Sequence, residues 1–193
     1  MTWQIRDTII FNGIKYDLNQ NLLDNYFQEF KKNRPEINVI DTACWRGHTI
    51  HFIIQNDELK IKNINWLGEN GKLIGQNLIK DYFPNRKFEW FSGFLRIDDF
   101  KGDYDNEKNE NAIYEFLEIN CGNLINHWKF DFSEFSEFKN ILFEEFKKLE
   151  EYDSIFFDLK NSHSKEKHSF IENLILQEII SLTNENYLKL KKT

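Results

Sequence analysis

Cysteine is nearly absent from this chain of 193 residues, in which Cys44 and Cys121 are the only two. Two cysteines are too few for a disulfide framework, and no Cys-x-x-Cys pair indicates a zinc site. We expect both to be free thiols, while one disulfide between them stays open as the alternative. Neither cysteine lies in a recognisable cysteine-hydrolase signature, so thiol catalysis is disfavoured.

Long apolar runs are also missing, as is an N-terminal segment that is first basic and then apolar. A membrane-spanning helix needs about 18 or more consecutive apolar residues. A secretory signal begins with a basic region followed by an apolar one. The sequence therefore predicts a cytoplasmic protein that does not enter a membrane.

Positively charged residues are fewer than negatively charged ones: 25 Lys and Arg against 32 Asp and Glu, which gives a net charge of −7. An acidic protein repels the phosphates of nucleic acids, so nucleic-acid binding is disfavoured. Acidity suits a basic protein partner instead, which would meet the acidic stretches 98–110 and 144–153. The glycines of residues 68–75 lack the spacing of either common phosphate-binding loop, so no nucleotide cofactor is predicted.

Aromatic residues are abundant, at 16% of the chain. Each buries a large area, so a chain of this length can build the core of one domain. Alternating apolar residues predict strands in the first two-thirds of the sequence, with Asn12-Gly13 as a hairpin turn. The expected strands are 8–11, 14–17, 48–54, 59–64, 72–74, 87–97 (bent at Ser92-Gly93), 112–120 and 124–130, with an exposed loop over 98–111.

Helical spacing of apolar residues predicts one early helix over 21–32 and two more after Asp131. Asp131 and Glu134 have the spacing of a capping box. The first late helix is expected to end near Tyr152, residues 153–159 to form a short strand or loop, and the last helix to cover 165–182. The predicted fold is α+β: a mostly antiparallel sheet, one short early helix and two C-terminal amphipathic helices. We expect one domain over 1–193, with a β-rich core (8–130) and a helical part (131–193).

The first candidate site is the segment Trp45-Arg46-Gly47-His48. The planar Arg46 guanidinium suits a carboxylate or phosphate, Gly47 permits close approach, and His48 could exchange a proton near neutral pH. The structural interpretation is a core Trp45, a bulge at Gly47 and a salt bridge for Arg46.

A metal site is disfavoured. His48 and His51 are three apart on one strand and point to opposite faces. His163 and His168 do not share a helix face and are expected in solvent.

The second candidate site contains Glu89, Trp90 and Arg96. Glu89 and Arg96 lie on opposite faces of a regular strand, but a one-residue bulge at Gly93 would bring them together. The result would be a buried Arg–Glu pair or, alternatively, a clamp for a ligand. Glu115 and Glu118 do not share a strand face, so a paired-acid glycosidase site is not supported.

Both segments carry a family resemblance. The pattern T-A-C-W-R-G-H over 42–48, with Phe83-Pro84 and W-F-S-G-F-L-R-I over 90–97, resembles a family of small uncharacterised bacterial proteins with T-A-x-W-R-G-Y and W-F-S-G-x-L-R-I motifs. The resemblance covers about residues 8–130, and His48 departs from the tyrosine of the family. It implies a bacterial protein in which the two segments belong to one sheet, and it implies no activity.

Three functional hypotheses follow. The leading one is a non-enzymatic, cytoplasmic bacterial protein-binding module, of which an immunity-type neutraliser of a toxin is one form. The alternative is a small-ligand-binding or catalytic protein with a pocket near Trp45-Arg46-Gly47-His48 and Arg96. The third is a homo-oligomer that packs through the last helix. The residues expected to bind a ligand or partner are Trp45, Arg46, His48, Glu89, Trp90 and Arg96.

Overall fold

The computed structural model describes residues 4–31, 34–37, 41–98 and 112–191. All the strands of the described residues lie before Asp131, together with two helices, and four further helices follow. In chain order the elements are β1 (Asp7–Phe11), β2 (Ile14–Leu18), α1 (Leu22–Glu29), β3 (His48–Gln55), β4 (Glu58–Trp66), α2 (Gly71–Tyr82), β5 (Gly93–Arg96), β6 (Tyr114–Asn120), β7 (Asn123–Phe130), α3 (Phe132–Phe146), α4 (Glu150–Ser162), α5 (His168–Gln177) and α6 (Ile179–Leu190).

The seven strands form one sheet in the order β2-β1-β3-β4-β7-β6-β5. Strands β1 and β3 pair in parallel, which requires the crossover that α1 lies in. The sheet is strongly curled, since the rings of Phe11 on β1 and His127 on β7 are 4.8 Å apart although β3 and β4 lie between those strands. The predicted α+β class with a mostly antiparallel sheet is confirmed.

The hairpin predicted at Asn12-Gly13 is confirmed, and the turns that precede β4 and β7 also pass through residues with positive φ. Asn12-Gly13 has φ values of 50° and 78°, and Cys121-Gly122 has 47° and 71°. Two consecutive left-handed residues give the turn whose twist matches paired strands. Cys121 is exposed in its turn while Cys44 is buried, and no disulfide joins them.

The prediction of a single early helix is wrong, because residues 72–74 belong to helix α2 and not to a strand. Gly71 and Gly75, one helical turn apart, bring the backbone of α2 against β4. A Cβ on Gly71 would lie 1.8 Å from the Trp66 carbonyl oxygen, and one on Gly75 would lie 2.0 Å from that of Ile64. In the sequence these glycines suggest the ends of a strand. In the structure they allow the backbone of α2 to pack closely against β4.

The prediction of two C-terminal helices is also wrong, because residues 131–191 contain four. The capping box is confirmed: Glu134 N donates to Asp131 Oδ1 at 2.8 Å, and Asp131 N donates to Glu134 Oε2 at 2.9 Å. The chain leaves the helix at Leu149, which is extended with φ −90° and ψ 147°. The run Ile155-Phe156-Phe157, taken for a strand or loop, is one turn of α4.

The predicted strand 87–97 is shorter than expected, since only Gly93–Arg96 is a strand. Its outer edge is covered by Asn184 of α6, whose Oδ1 accepts from Phe94 N at 2.6 Å and whose Nδ2 donates to Phe94 O at 3.0 Å. One side-chain amide thus satisfies both backbone groups of an edge-strand residue. Most of the expected loop 98–111 lies outside the described residues.

The chain divides into two compact units. The first unit comprises Met1–Phe91, Leu95–Gly102 and Glu115–Trp128, and its core includes Ile9, Phe27, Phe52 and Phe88. The second comprises Ser92–Phe94, Asp103–Tyr114 and Lys129–Thr193, with a core of Phe143, Phe146, Leu149, Ile171, Ile175 and Ile179. The single-domain organisation stays a prediction. Within the described residues, no helix combines the length and the apolar character needed to cross a membrane.

Replacing Gly75 with alanine tests the close contact of α2 with β4. Alanine normally stabilises a helix interior by about 1 kcal/mol relative to glycine. Here we expect Gly75→Ala to lower the free energy of unfolding by about 1–3 kcal/mol, because the new Cβ must displace the helix. Urea denaturation measures the difference. The control is Gln76→Ala, an exposed position in the same helix, and equal stabilities for the two variants would contradict the contact.

Candidate functional site

The loop of residues 41–47, called the Trp45 loop here, is held in place by hydrogen bonds at both ends. The Gln4 side chain donates to Thr42 O at 2.8 Å and accepts from Trp45 N at 3.1 Å. Ile5 N donates to Ala43 O at 2.7 Å, and Asp41 Oδ1 accepts from Ala43 N at 2.8 Å. Most of these bonds involve the backbone of the loop, so its conformation is held by contacts within the protein.

Trp45 projects from this loop into solvent, with 67% of its surface exposed. The interpretation of Trp45 as a core aromatic is therefore wrong. Large exposed aromatic residues on an otherwise ordered backbone are frequent anchors of protein interfaces. Ile5, on the segment paired with the loop, is also exposed.

Arg46 points the opposite way, into the first unit. Its Nη1 lies 3.0 Å from Asp7 Oδ2 and 2.8 Å from Asn21 Oδ1, and its Nη2 donates to Ile5 O at 2.9 Å. Asp24 Oδ2 lies 3.5 Å from the same Nη1. The name Asp7–Arg46 cluster is used here for six residues: Ile5, Asp7, Asn21, Asp24, Arg46 and His48. The guanidinium is bound by internal groups, which favours the structural interpretation of Arg46.

Asp7 is fully buried at the centre of the cluster. Its Oδ1 accepts from Ile50 N at 3.0 Å while Oδ2 receives the Arg46 guanidinium. Burial raises the pKa of Asp7 above its ordinary value, and the positive charge of Arg46 opposes that shift. A buried carboxylate with both oxygens bound ties β1 to β3 and to the Trp45 loop.

His48 is fully buried on β3 beside this pair. Its Nδ1 donates to Arg46 O at 2.9 Å, and its ring stacks on Trp66 with a centroid distance of 5.0 Å. Nε2 lies 3.7 Å from Asp24 Oδ1. Burial lowers the pKa of His48, although Asp24 pulls it upward. A neutral, enclosed imidazole is poorly placed to exchange protons with a substrate.

Cys44 is the buried thiol of the same loop, and its Sγ donates to His48 O at 3.2 Å. The contact is with the backbone of His48 and not with the imidazole. Burial raises the pKa of the Cys44 thiol. A protonated, enclosed thiol is a weak nucleophile, which agrees with the prediction against thiol catalysis.

His51 lies on the opposite face of β3 from His48, as the strand alternation predicts. Asn65 Nδ2 donates to His51 Nε2 at 2.9 Å, so the ring proton is on Nδ1, which lies 2.7 Å from Thr8 Oγ1. Burial, then the charges of Lys15 and Lys62, lower the pKa of His51. Among the described residues no group of histidines, cysteines and carboxylates could hold a metal ion.

The second candidate site is divided. Arg96 Nε donates to both carboxylate oxygens of Asp98, at 3.0 Å and 2.7 Å, so its carboxylate partner is Asp98 and not the expected Glu89. Glu89 and Trp90 follow α2 outside any strand and line a cavity of about 170 Å³. The bulged strand through both residues, on which the Glu89–Arg96 pairing depended, is absent, because the strand of this region covers Gly93–Arg96 alone.

This cavity, called the Tyr26–Trp90 cavity here, includes residues that the sequence did not mark as functional. In the sequence, Tyr26 belongs to the apolar stripe of α1 and, like Phe83-Pro84, to the family resemblance. No spacing rule connects a helix near residue 26 with a loop near residue 90. The lining residues are Tyr26, Tyr82, Phe83, Pro84, Asn85, Lys87, Glu89 and Trp90.

Comparisons with models of known protein families, with curated proteins and with solved structures find no match for this chain. The resemblance to the bacterial family therefore stays a prediction. The function has to be inferred from the chemistry of the Trp45 loop, the Asp7–Arg46 cluster and the cavity.

Removing the positive charge of the cluster tests its structural role. We expect Arg46→Met to lower the free energy of unfolding by about 3–5 kcal/mol, because Asp7 then stays buried without a cation. The double variant Asp7→Asn/Arg46→Met should recover part of that loss. Arg34→Met is the matched control, because Arg34 is more exposed and lies 3.6 Å from Asp24, and it should change stability by less than about 1 kcal/mol. Equal effects of the two arginine variants would contradict the assignment.

The two shielded histidines predict a loss of stability in mild acid. Histidine in the unfolded chain has a pKa of 6.5, and the pKa values of His48 and His51 are lowered in the fold. Below pH 6.5 the unfolded state therefore binds protons that the folded state does not, and the free energy of unfolding falls by up to about 1.4 kcal/mol per pH unit per histidine.

Urea denaturation between about pH 7.5 and 5.5 measures this slope. The raised pKa of Asp7 acts in the opposite direction, so the informative quantity is the difference between the wild type and His51→Gln. We expect a shallower slope in the variant, and NMR titration should give His51 a pKa below 6.5. Identical slopes would contradict the prediction.

Proposed function

We propose that this chain is a non-enzymatic protein-binding module that engages a basic partner through Trp45. The observation that carries the proposal is the 67% exposure of Trp45 on a loop that is itself held by hydrogen bonds. Tryptophan is among the residues most enriched at the energetic centres of protein interfaces.

The fixed loop supports this proposal through entropy. Association is weakened when loops must be ordered at the interface, and a loop that is ordered beforehand avoids that loss. Arg46, the next residue, is bound to Asp7 and Asn21 inside the protein. The backbone that carries Trp45 is therefore anchored by a residue that a partner does not need to touch.

The net charge of −7 supports a basic partner, since opposite charge accelerates association and suppresses wrong partners. The acidic stretch 144–153 is partly neutralised within the protein. Lys147 pairs with Glu144 and Glu172, Lys148 with Glu145, and Lys189 with Glu151. Asp98, the described end of the other acidic stretch, binds Arg96. The net negative charge of the chain therefore supports a basic partner more strongly than either acidic stretch does.

An immunity-type neutraliser of a toxin is one form of this proposal, and its bacterial and cytoplasmic setting rests on the sequence. The alternative of a ligand pocket around Arg46 and His48 has less support. Arg46 is bound by Asp7, Asn21 and Ile5, and His48 is fully buried.

Exchange of Trp45 for alanine tests the proposal. Wild-type protein, Trp45→Ala and Leu73→Ala serve as baits in an extract of the native host. Leu73 is the control because it is 54% exposed in the same unit. We expect a basic protein to be retained by the wild type and Leu73→Ala but lost with Trp45→Ala, with affinity lowered by about 2 kcal/mol or more in titrations of the purified pair.

Stability separates a binding effect from misfolding. Because its side chain is exposed, Trp45→Ala should leave the free energy of unfolding within about 0.5 kcal/mol of the wild type. Retention of the same partner by Trp45→Ala, or the absence of any retained protein, would count against the proposal. For the immunity-type role, the retained protein should be toxic when produced alone and harmless when produced with this chain.

A further inference from the structure

The Tyr26–Trp90 cavity has aromatic walls. The rings of Tyr26 and Trp90 are nearly perpendicular, at 85°, with centroids 5.9 Å apart. Phe83 packs on Tyr26 with a centroid distance of 5.0 Å, and Tyr82, which is 39% exposed, also lines the space. Tyr26 and Phe83 are buried, whereas Trp90 is half-buried and Tyr82 is exposed, so a ligand in the cavity would meet the rings of Trp90 and Tyr82.

The charges around the cavity favour a cation. Glu89 is an exposed carboxylate among the lining residues. The positive charge of Lys87 is balanced, since its Nζ lies 3.1 Å from Glu58 Oε1 and donates to Asn123 Oδ1 at 2.7 Å. Hydrogen bonds from Lys60 and Lys87 lower the pKa of Glu58, which therefore stays ionised. Glu89 has no such lysine in its described contacts.

We propose that this cavity binds the head group of an organic ammonium ion. A cation over the face of Trp or Tyr is attracted by the ring quadrupole, and an adjacent carboxylate adds charge attraction. The volume of about 170 Å³ is below the range of about 300–1,000 Å³ typical of drug-sized ligands, so it suits one small head group. An anion would meet Glu89, and Lys87 is already paired.

Two sources can supply this chemistry. One is a free small molecule with a quaternary ammonium group. The other is a lysine side chain of a basic partner, and that source rests on the proposed function. Binding of a free ligand does not depend on the proposed function, because the cavity residues and the Trp45 loop are distinct and can be substituted separately.

The experiment is an NMR titration that follows the indole N–H resonance of Trp90. Tetramethylammonium chloride is the cationic probe and tert-butanol the neutral probe of similar shape. We expect saturable millimolar binding of tetramethylammonium and at least about ten-fold weaker binding of tert-butanol. Glu89→Gln should weaken tetramethylammonium binding about five-fold. The control Glu69→Gln, an exposed glutamate outside the lining, should leave it unchanged.

A third titrant, N-acetyl-lysine methylamide, distinguishes the sources. Binding of this amide at an affinity comparable to tetramethylammonium identifies a lysine side chain, and preference for tetramethylammonium identifies a free quaternary ligand; both support the cation site. Equal shifts with tert-butanol, no saturable shift, or no effect of Glu89→Gln would overturn it. Trp45→Ala should retain tetramethylammonium binding, so failure of the partner proposal and failure of the cavity proposal give different results.

Discussion

The ion pair between Asp7 and Arg46 determines the arrangement of the first unit. Asp7 belongs to β1, Arg46 to the loop before β3, and the same guanidinium reaches Asn21 and Asp24 at the start of α1 and Ile5 O before β1. Burying two charges is unfavourable unless each is fully bound, and here Asp7 also receives the backbone N–H of Ile50. The pair therefore defines where three segments that are distant in sequence must meet.

Trp45 is the exposed neighbour of this pair. Arg46 turns inward to Asp7, and the backbone N–H of Trp45 donates to Gln4 Oε1, so these neighbouring side chains face opposite ways, with Trp45 in solvent. A hydrophobic side chain would otherwise be drawn inside, since exposing it forfeits about 2–3 kcal/mol of burial. The Trp45 side chain is thus exposed although its burial would be favourable.

Turns and helix caps formed by residues close together in the sequence were predictable, and contacts between residues far apart in the sequence were not. Asn12-Gly13 and the Asp131–Glu134 capping box depend on residues within three or four positions of one another, and both formed as predicted. Asp7, the partner of Arg46, lies 39 positions away, and no periodicity points to it. Gly71 and Gly75 carry the signal for close helix packing, but the same residues also end strands, and only the neighbouring β4 backbone distinguishes the two meanings.

Helix α1 connects the two candidate sites physically. With eight residues, this helix is too short to be stable by itself in water. Asn21, at its N-cap position, makes no side-chain cap, because its Oδ1 accepts from Arg46 instead. On the same helix, Tyr26 forms a wall of the cavity. The orientation of that wall therefore depends on the helix being held by Arg46 at one end and by the aromatic core at the other. A substitution in the Asp7–Arg46 cluster should therefore move α1 and alter the shape of the cavity. A substitution confined to the Trp45 side chain should leave the cavity unchanged.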